Sequence, residues 1–289
     1  MTHGTHGTHD HGTDDFDWAA MADLLENEAE THASYVRDAL ARLDGPAPRR
    51  VLDVGSGPGV AACLLAERFP QAEVVAVDGE PELLARAEAR ARRLGVRLRT
   101  RTAGFPEDLG GLGEADLVWA ANVVHHLGDQ QGGLKRLAGL VAPGGVLAVT
   151  EGGLPVRFLP RDAGTGRPGL QERLDAARAE RFERMRAELP GTVAAVEDWP
   201  AMLRAAGLTD AHSASFLVDH PAPLAEGPRA SVRRMLERYR TVLDGLLDQD
   251  DLAALDRLLD PDSPEGVDRR PDLFLLTART VHFARRPRD

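Results

Sequence analysis

Residues 51–60, VLDVGSGPGV, place an apolar run directly before three glycines that fall within five positions. The apolar run predicts a buried strand, and residues 60–69 after the glycines predict a helix. A second strand is predicted over residues 73–77, and it ends in Asp78. A strand, a helix and a strand in this order form a βαβ unit, whose crossover connects parallel strands. The chain is therefore predicted to be an α/β protein built around a parallel sheet.

The glycine turn and the acid at the end of the second strand predict a nucleoside-bearing ligand. Glycines let a ligand approach the backbone closely, and the N-terminus of the following helix offers unpaired N–H groups. The Asp78 carboxylate is placed to accept both ribose hydroxyls of a nucleoside. A dinucleotide fingerprint would need its third glycine one position later, where this chain has Val60. Val60 and Asp53 disfavour a nicotinamide-dependent oxidoreductase, which stays open as an alternative.

Four motifs in order resemble those of the class I S-adenosylmethionine-dependent methyltransferases. VLDVGSGPG is similar to motif I, an acidic residue (here Asp53) two residues before Gly-x-Gly-x-Gly. Residues 74–87 resemble the second motif, 114–129 the motif of strand 4, and 134–151 the helix, Pro-Gly-Gly turn and strand 5. The resemblance covers about residues 50–151. It implies a Rossmann-like, doubly wound, seven-stranded sheet with a helical N-terminal segment and a helical lid insertion.

The resemblance implies S-adenosylmethionine as the cofactor and S-adenosylhomocysteine as the product. The residues that it assigns to the cofactor are Asp53, Gly55, Ser56, Gly57, Gly59, Asp78, Gly79, Phe105 and Asn122. The chain departs from the family after strand 3, where an acidic residue often contacts the adenine amine and this chain has Gly104. Phe105 is the predicted adenine contact there.

His125, His126 and Glu151 are the candidate catalytic residues, because the resemblance places them at the ends of strands 4 and 5. Ligands in open α/β sheets lie beyond those ends. An imidazole with a pKa of ~6.5 suits removal of a hydroxyl proton near neutral pH. Natural-product O-methyltransferases look similar, with a His pair after strand 4 and an acid after strand 5. The expectation is methyl transfer to a hydroxyl oxygen of a small specialised metabolite, with histidine as general base.

Other functions stay open beside that expectation. A carbon or nitrogen acceptor would need positioning of the reactants and no histidine base. The same fold could also bind the cofactor without transferring a methyl group. The histidine pair has a structural alternative too, as hydrogen-bonding groups that hold the backbone of the turn.

The rest of the sequence divides into segments around this core. A Thr/His/Gly repeat predicts a disordered tail over 1–14, and a helical apolar stripe predicts an N-terminal cap over 15–50. The cofactor-binding core is predicted over 51–151. A Gly/Pro-rich stretch and an amphipathic helix predict a lid over 152–190, and residues 191–289 are predicted to complete the sheet. The flexible tail supplies no defined ligand geometry, so no metal site is predicted.

The N-terminal cap carries the candidate acceptor-binding residues. The helical pattern runs from Asp17 to Leu43, and one helix or two both fit it. The candidates are Trp18, Glu28, His32 and Tyr35, the last three along one side of the predicted helix. A surface ion pair beside a core contact is the structural alternative.

Composition limits the partners. The formal net charge of −11 argues against nucleic acid, because phosphate binding needs a basic face. No apolar run approaches the ~20 residues that span a bilayer, so no membrane association is predicted. A single cysteine, Cys63, excludes an internal disulfide and favours the cytoplasm. The expected partner is a small-molecule acceptor, and a homodimer is left open.

Overall fold

The computed structural model describes residues 21–288 and has a seven-stranded sheet at its centre. The strands are β1 (Arg50–Val54), β2 (Glu73–Asp78), β3 (Arg99–Thr102), β4 (Ala115–Ala121), β5 (Val141–Arg157), β6 (Thr209–His220) and β7 (Leu275–Arg285). Their order across the sheet is β3-β2-β1-β4-β5-β7-β6, and only β7 pairs antiparallel with its neighbours. The strand order reverses between β1 and β4, which is where open α/β sheets form a ligand crevice. The predicted seven-stranded Rossmann-like sheet is confirmed.

Helices cover both faces of this sheet. They are α1 (Ala22–Thr31), α2 (Ala33–Leu40), α3 (Val60–Arg68), α4 (Pro81–Leu94), α5 (Gln130–Gly139), α6 (Leu170–Glu188), α7 (Trp199–Ala205), α8 (Glu226–Val242) and α9 (Gln249–Leu259). One buried cluster joins α2, α3 and α8 to the sheet face that carries Trp119 and Phe283. A second joins α5 and α7 to the face that carries Leu52 and Val118. Within residues 21–288, no helix is long and apolar enough to cross a bilayer.

The N-terminal helical pattern forms two helices in the described chain, with His32 at the break. The Thr31 hydroxyl donates to the Asn27 carbonyl at 2.8 Å, and the His32 ring contacts the Glu28 carbonyl at 2.7 Å. Side chains that bond to the carbonyls of the preceding turn compete with continuation of the helix. The chain therefore turns at His32, and α2 lies across the sheet instead of extending α1.

The segment that follows Glu151 differs from the sequence prediction. A lid was expected from residue 152, but β5 continues to Arg157 and stays paired with β7. Gly152 and Gly153 coincide with an irregularity in that pairing. Both adopt positive φ angles, which glycine reaches at little cost. The helical part of the insertion is α6, which begins at Leu170.

The C-terminal elements follow their predicted order. A short helix over 198–206 and strands over 211–218 and 273–285 are predicted, and α7, β6 and β7 occupy these places. One broken helix or two helices are predicted over 231–259, and the structure has two, α8 and α9. Asp248 starts the second of them, since its carboxylate accepts from the Asp251 N–H at 3.0 Å.

Candidate active site

The glycine loop connects the end of β1 to the start of α3 and lies against the end of β2. The N–H groups of Gly55 and Ser56 both donate to the Val77 carbonyl, at 2.8 and 3.0 Å. A Cβ at Gly55 would collide with the Val123 side chain, whereas a Cβ at Gly57 would meet no atom within 4 Å. Gly57 has a φ of 53°, and open space lies in front of it. The loop is therefore packed at Gly55 and accessible to a ligand at Gly57.

Asp78 closes this loop from the neighbouring strand. Its carboxylate accepts from the Gly57 N–H at 2.8 Å and from the Glu80 N–H at 3.0 Å. Burial raises the pKa of Asp78, and these N–H groups oppose the rise. The Ala103 N–H donates to the Asp78 carbonyl at 2.9 Å, which fixes the end of β3 beside it. The half-buried carboxylate thus faces the loop, with acceptor capacity remaining for hydroxyl groups.

Asp53 and Ser56 contribute two buried oxygen atoms to the loop. Among the described residues, neither Asp53 Oδ2 nor Ser56 Oγ has a hydrogen-bond partner. Burial, together with the nearby Asp78 charge, raises the pKa of Asp53 to about 7. Buried polar atoms in folded proteins nearly always have partners, so these two mark a place for a ligand that carries donors or positive charge.

The region after β3 brings together different residues from those predicted. Phe105 is half-buried and packs with the cluster beneath α5, close to Gly133. The carboxylate of Asp108 lies 3.4 Å from the Gly104 N–H. Asp108 is therefore an acid at this end of the crevice that the sequence comparison missed. Its signal was weak, since it comes four residues after the position at which the family has its acid.

The turn after β4 begins with a strained residue. Asn122 has a φ of 56°, in the left-handed region that non-glycine residues seldom adopt. Its N–H donates to the Thr150 carbonyl of β5 at 2.9 Å. Strain held in place by a strand-to-strand hydrogen bond is common at functional sites. The bond fixes the direction in which the chain leaves β4 and enters the turn that carries His125 and His126.

Glu151 and His125 form a hydrogen-bonded pair where β5 passes the end of β4. The carboxylate of Glu151 accepts from the Val124 N–H at 2.8 Å and from the His125 N–H at 3.3 Å. Its second oxygen lies 2.7 Å from His125 Nδ1. Because a carboxylate only accepts, Nδ1 carries the proton and a neutral His125 keeps a lone pair on Nε2. Glu151 is buried, so it orients the turn and the ring.

His126 differs from His125 in its surroundings. Burial, with help from the neighbouring His125, lowers the pKa of His126 to about 4. The two rings lie 4.1 Å apart, and Phe182 of α6 lies 5.8 Å from the His125 ring. His126 is thus a weak base, and the carboxylate-paired His125 is the better candidate for proton removal.

The lid helix docks on the same turn. Arg186 of α6 donates to the carbonyl of His125 at 2.8 Å and to that of Leu127. The Val193 N–H, beyond the end of α6, donates to the Gly128 carbonyl at 3.1 Å. The predicted lid therefore contacts the backbone that carries the candidate base.

The N-terminal cap brings three of its four candidate residues to the site. The buried Tyr35 ring stacks on Trp119 of β4 at 6.4 Å, and burial raises the pKa of Tyr35 to about 12. His32 is also buried. The Glu28 carboxylate lies 3.4 Å from the Arg279 guanidinium of β7. Trp18 lies outside the described residues. Arg279 was missed by sequence reasoning, since a strand arginine far along the chain carries no local motif.

Comparison with known proteins agrees with this arrangement. A family model described as a methyltransferase domain matches residues 52–147. A trans-aconitate 2-methyltransferase from Methylobacterium nodulans is 34% identical over 200 residues, which cover 67% of this chain and 69% of the relative. Another from Methylobacterium radiotolerans is 41% identical over 134 residues, 46% of this chain and 48% of the relative. Several matches span only about half of the relative's length.

Solved structures share the fold at low sequence identity. An O-methyltransferase candidate from Nostoc punctiforme superposes with a TM-score of 0.54 and 18% identity, over 97% of this chain and 64% of the other. Together with the motif series, the sheet order and the relative from Methylobacterium nodulans, this confirms the resemblance. The chain belongs to the class I S-adenosylmethionine-dependent methyltransferases, and S-adenosylmethionine is its cofactor.

Proposed function

We propose that the chain transfers a methyl group from S-adenosylmethionine to a hydroxyl oxygen of a small molecule, with His125 as general base. The observation that carries the proposal is the hydrogen bond of 2.7 Å between His125 Nδ1 and Glu151. It leaves Nε2 of a neutral His125 as the proton acceptor, at the end of β4 where the crevice opens. Small specialised metabolites are the proposed class of acceptor.

The loop residues fit the cofactor. The open space at Gly57 and the free acceptor capacity of Asp78 suit the ribose, and the orphaned oxygen of Asp53 suits a cationic ligand. A Cβ added at Gly79 would lie 3.8 Å from the Gly104 Cα, beside Asp78, where Phe105 and Asp108 supply groups for the adenine end. The bound cofactor supplies an electrophilic methyl group on a sulfonium.

The chain's own residues then orient the acceptor and take its proton. The acceptor proton would move from its oxygen to His125 Nε2 as that oxygen takes the methyl group that bound S-adenosylmethionine would supply, and S-adenosylhomocysteine would be the leaving group. Glu151 stabilises the imidazolium that forms. The cap and the lid exclude water from the reacting groups, which strengthens the electrostatic interactions within the site.

A carboxylate oxygen is the second candidate acceptor, because relatives of this chain are named trans-aconitate 2-methyltransferases. A carboxylate is already ionised at neutral pH, so its methylation would need no general base. A carbon or nitrogen acceptor would also depend less on His125. The effect of removing His125 therefore separates hydroxyl transfer from the other kinds.

Product mass tests the proposal. The full chain is incubated with S-adenosylmethionine and a panel of small alcohols, phenols and acids, and S-adenosylhomocysteine release is followed. A product heavier by one methylene group, formed with loss of rate in His125→Gln, is the expected result. Cofactor binding without any methylated product would indicate a protein that binds the cofactor but transfers no methyl group. Binding of NADH in place of S-adenosylhomocysteine would favour an oxidoreductase.

A further inference from the structure

Two buried polar atoms lie under the N-terminal cap, apart from the glycine loop. In the part of the chain that the structure describes, neither His32 Nε2 nor Arg279 Nε has a hydrogen-bond partner. His32 is only 5% exposed. Buried donors and acceptors are nearly always satisfied in folded proteins, so each such atom requires an explanation. A bound ligand that bonds to both atoms explains them together.

The two side chains contact the same residue although they come from opposite ends of the chain: His32 Nδ1 lies 2.7 Å from the Glu28 carbonyl oxygen, and the Arg279 guanidinium lies 3.4 Å from the Glu28 carboxylate. Burial and the nearby Arg279 charge lower the pKa of His32 to about 4. The same guanidinium lies close enough to the Tyr35 hydroxyl to oppose the rise in its pKa. His32 Nε2 and Arg279 Nε therefore belong to side chains that meet at Glu28, between the cap and β7.

The hydrogen-bonding direction of each atom is fixed. His32 Nδ1 contacts the Glu28 carbonyl at 2.7 Å and must donate to it, because a carbonyl only accepts. With its lowered pKa the ring is neutral at pH 7, so Nε2 accepts. Arg279 can only donate. A ligand that satisfies both atoms must present an acceptor to Arg279 and a donor to His32.

The charge balance favours an anion at Arg279. Its ion-pair partner in this region, Glu28, lies 3.4 Å away with its carboxylate 52% exposed, so the pair is long and partly solvated. The Arg279 side chain is 19% exposed, and a guanidinium is suited to bidentate bonding with a carboxylate. The carboxylate of a ligand can therefore bind the Arg279 guanidinium beside the partly solvated Glu28 carboxylate.

The position in the sheet separates this region from the cofactor loop. Arg279 pairs with Gly153 of β5, beyond Glu151 along that strand. β1, which leads into the glycine loop, is three strands away in the order β1-β4-β5-β7. Adjacent strands lie about 4.8 Å apart, which puts β7 roughly 14 Å from β1. That distance favours the acceptor, and not the amino-acid end of the cofactor, as the source of the carboxylate.

We propose that the acceptor is a small acid with at least two hydroxyl groups: its carboxylate binds Arg279, one hydroxyl donates to His32 Nε2, and another is the hydroxyl that is methylated. This inference rests on the proposed function for the existence of an acceptor site. It deepens that function by naming the substrate class and two residues that select it. A neutral alcohol would leave Arg279 without its acceptor, and an acid without a hydroxyl would leave His32 without its donor.

Binding measurements with matched probes test the inference without requiring turnover. Calorimetry is performed on the full chain in the presence of S-adenosylhomocysteine with two sets of three probes. Each set contains a hydroxy acid, the matching acid without the hydroxyl, and the amide of the hydroxy acid. The first set is malate, succinate and malamide, and the second is salicylate, benzoate and salicylamide. Within at least one set, the hydroxy acid should bind at least tenfold more tightly than the acid without a hydroxyl and than the amide. Equal binding of the three members in both sets, or no binding of any, overturns the inference.

Variants separate ligand binding from a structural role. Arg279→Gln should weaken hydroxy-acid binding at least tenfold and leave S-adenosylhomocysteine affinity unchanged. His32→Asn keeps a donor for the Glu28 carbonyl but lacks Nε2, so it should lose the preference for the hydroxyl. Glu30→Gln breaks a different ion pair of the cap, that with Arg90, and should leave binding intact. Arg99→Gln is the matched control, because Arg99 is also a strand arginine paired with a glutamate, Glu73, but at the opposite edge.

Four outcomes of these experiments distinguish a failure of this inference from a failure of the proposed function. A loss of S-adenosylhomocysteine affinity in Arg279→Gln assigns the carboxylate to the cofactor and overturns the inference. A loss of hydroxy-acid binding in Glu30→Gln equal to that in Arg279→Gln indicates a structural effect of the cap ion pairs and also overturns it. Arg279-dependent binding without any methyl transfer supports the inference and contradicts the proposed function. Methylation of neutral alcohols at a rate unaffected by Arg279→Gln supports the proposed function alone.

Discussion

His125 Nδ1 lies 2.7 Å from the buried carboxylate of Glu151, where β5 passes the end of β4. Single-turnover methylation of a hydroxyl acceptor by His125→Gln should fall by about 10²–10⁴-fold, the usual range for loss of a general base. His126→Gln should fall far less, since the low pKa of His126 makes it a weak base. Unchanged S-adenosylhomocysteine affinity in both variants is the control. Rates near wild type in both variants would leave positioning alone as the source of catalysis.

Asp78 should dominate recognition of the ribose. Asp78→Ala removes charge-assisted hydrogen bonds worth about 1.5–3 kcal/mol each, so cofactor affinity should fall at least tenfold. Glu82→Ala is a matched control, because Glu82 is an exposed acid in the first turn of α4. Calorimetry with S-adenosylhomocysteine measures both variants. Equal affinity of Asp78→Ala and wild type would remove Asp78 from the cofactor site.

Cofactor binding should release a proton from Asp53. The raised pKa of about 7 means that most molecules carry a neutral Asp53 at pH 6. A cationic ligand favours the charged carboxylate and lowers that pKa, so the proton leaves on binding. Titrations at pH 6 in buffers of different ionisation enthalpy count the released protons, and Asp53→Asn should abolish the release. Identical heats in all buffers with the wild-type chain would contradict this assignment.

Arg90 should hold the cap on the core. On α4 it donates to Glu26 and contacts Glu30 of α1, each at 2.7 Å, with its side chain only 10% exposed. Arg90→Met keeps an apolar stem but loses both bonds, which should cost about 1–3 kcal/mol of unfolding free energy. Arg92→Met is the control, since Arg92 is 72% exposed and has a pair of only 3.8 Å with Glu88. Urea unfolding compares the two variants. Equal losses of unfolding free energy would show that the Arg90 contacts do not stabilise the cap.

Acid should destabilise the protein through its buried histidines. Burial lowers the pKa of His32 and of His126 to about 4 from an ordinary 6.5. The unfolded chain therefore binds more protons between these values, and stability falls as the pH falls from 6.5 to about 4. Urea unfolding at pH 8 and pH 5 measures the difference, which should shrink in His32→Asn. A pH dependence identical to wild type in this variant would show that His32 does not contribute.

The cofactor half of the site could be predicted because its residues are local in sequence. Asp53, the glycine loop and Asp78 belong to one βαβ unit, in which strand order fixes their relative positions. Strand alternation likewise predicts β7 from 273–285. It carries no information on which neighbours β7 pairs with, and so none on the contact of Arg279 with Glu28. Such contacts depend on long-range packing of the cap, which local periodicity does not encode.

The break at His32 shows the same limit on a smaller scale. The apolar stripe from Asp17 to Leu43 fits one helix or two, because the spacing continues across the break. The break between α1 and α2 depends on the hydrogen bonds of the Thr31 and His32 side chains to carbonyls of the preceding turn. Asp108 was missed for a related reason. Its contact with Gly104 depends on the path of the loop after β3, and not on a fixed spacing.

Val123 fills the space that a side chain at position 55 would occupy, so the loop and the turn after β4 share one surface. Two residues beyond Val123, that turn carries His125. A displacement of the loop at Gly55 on cofactor binding would be passed through Val123 to the turn that carries the base. The kinetic order of the reaction follows from this contact. The cofactor is expected to load before the acceptor, in a compulsory sequence, and S-adenosylhomocysteine to leave last.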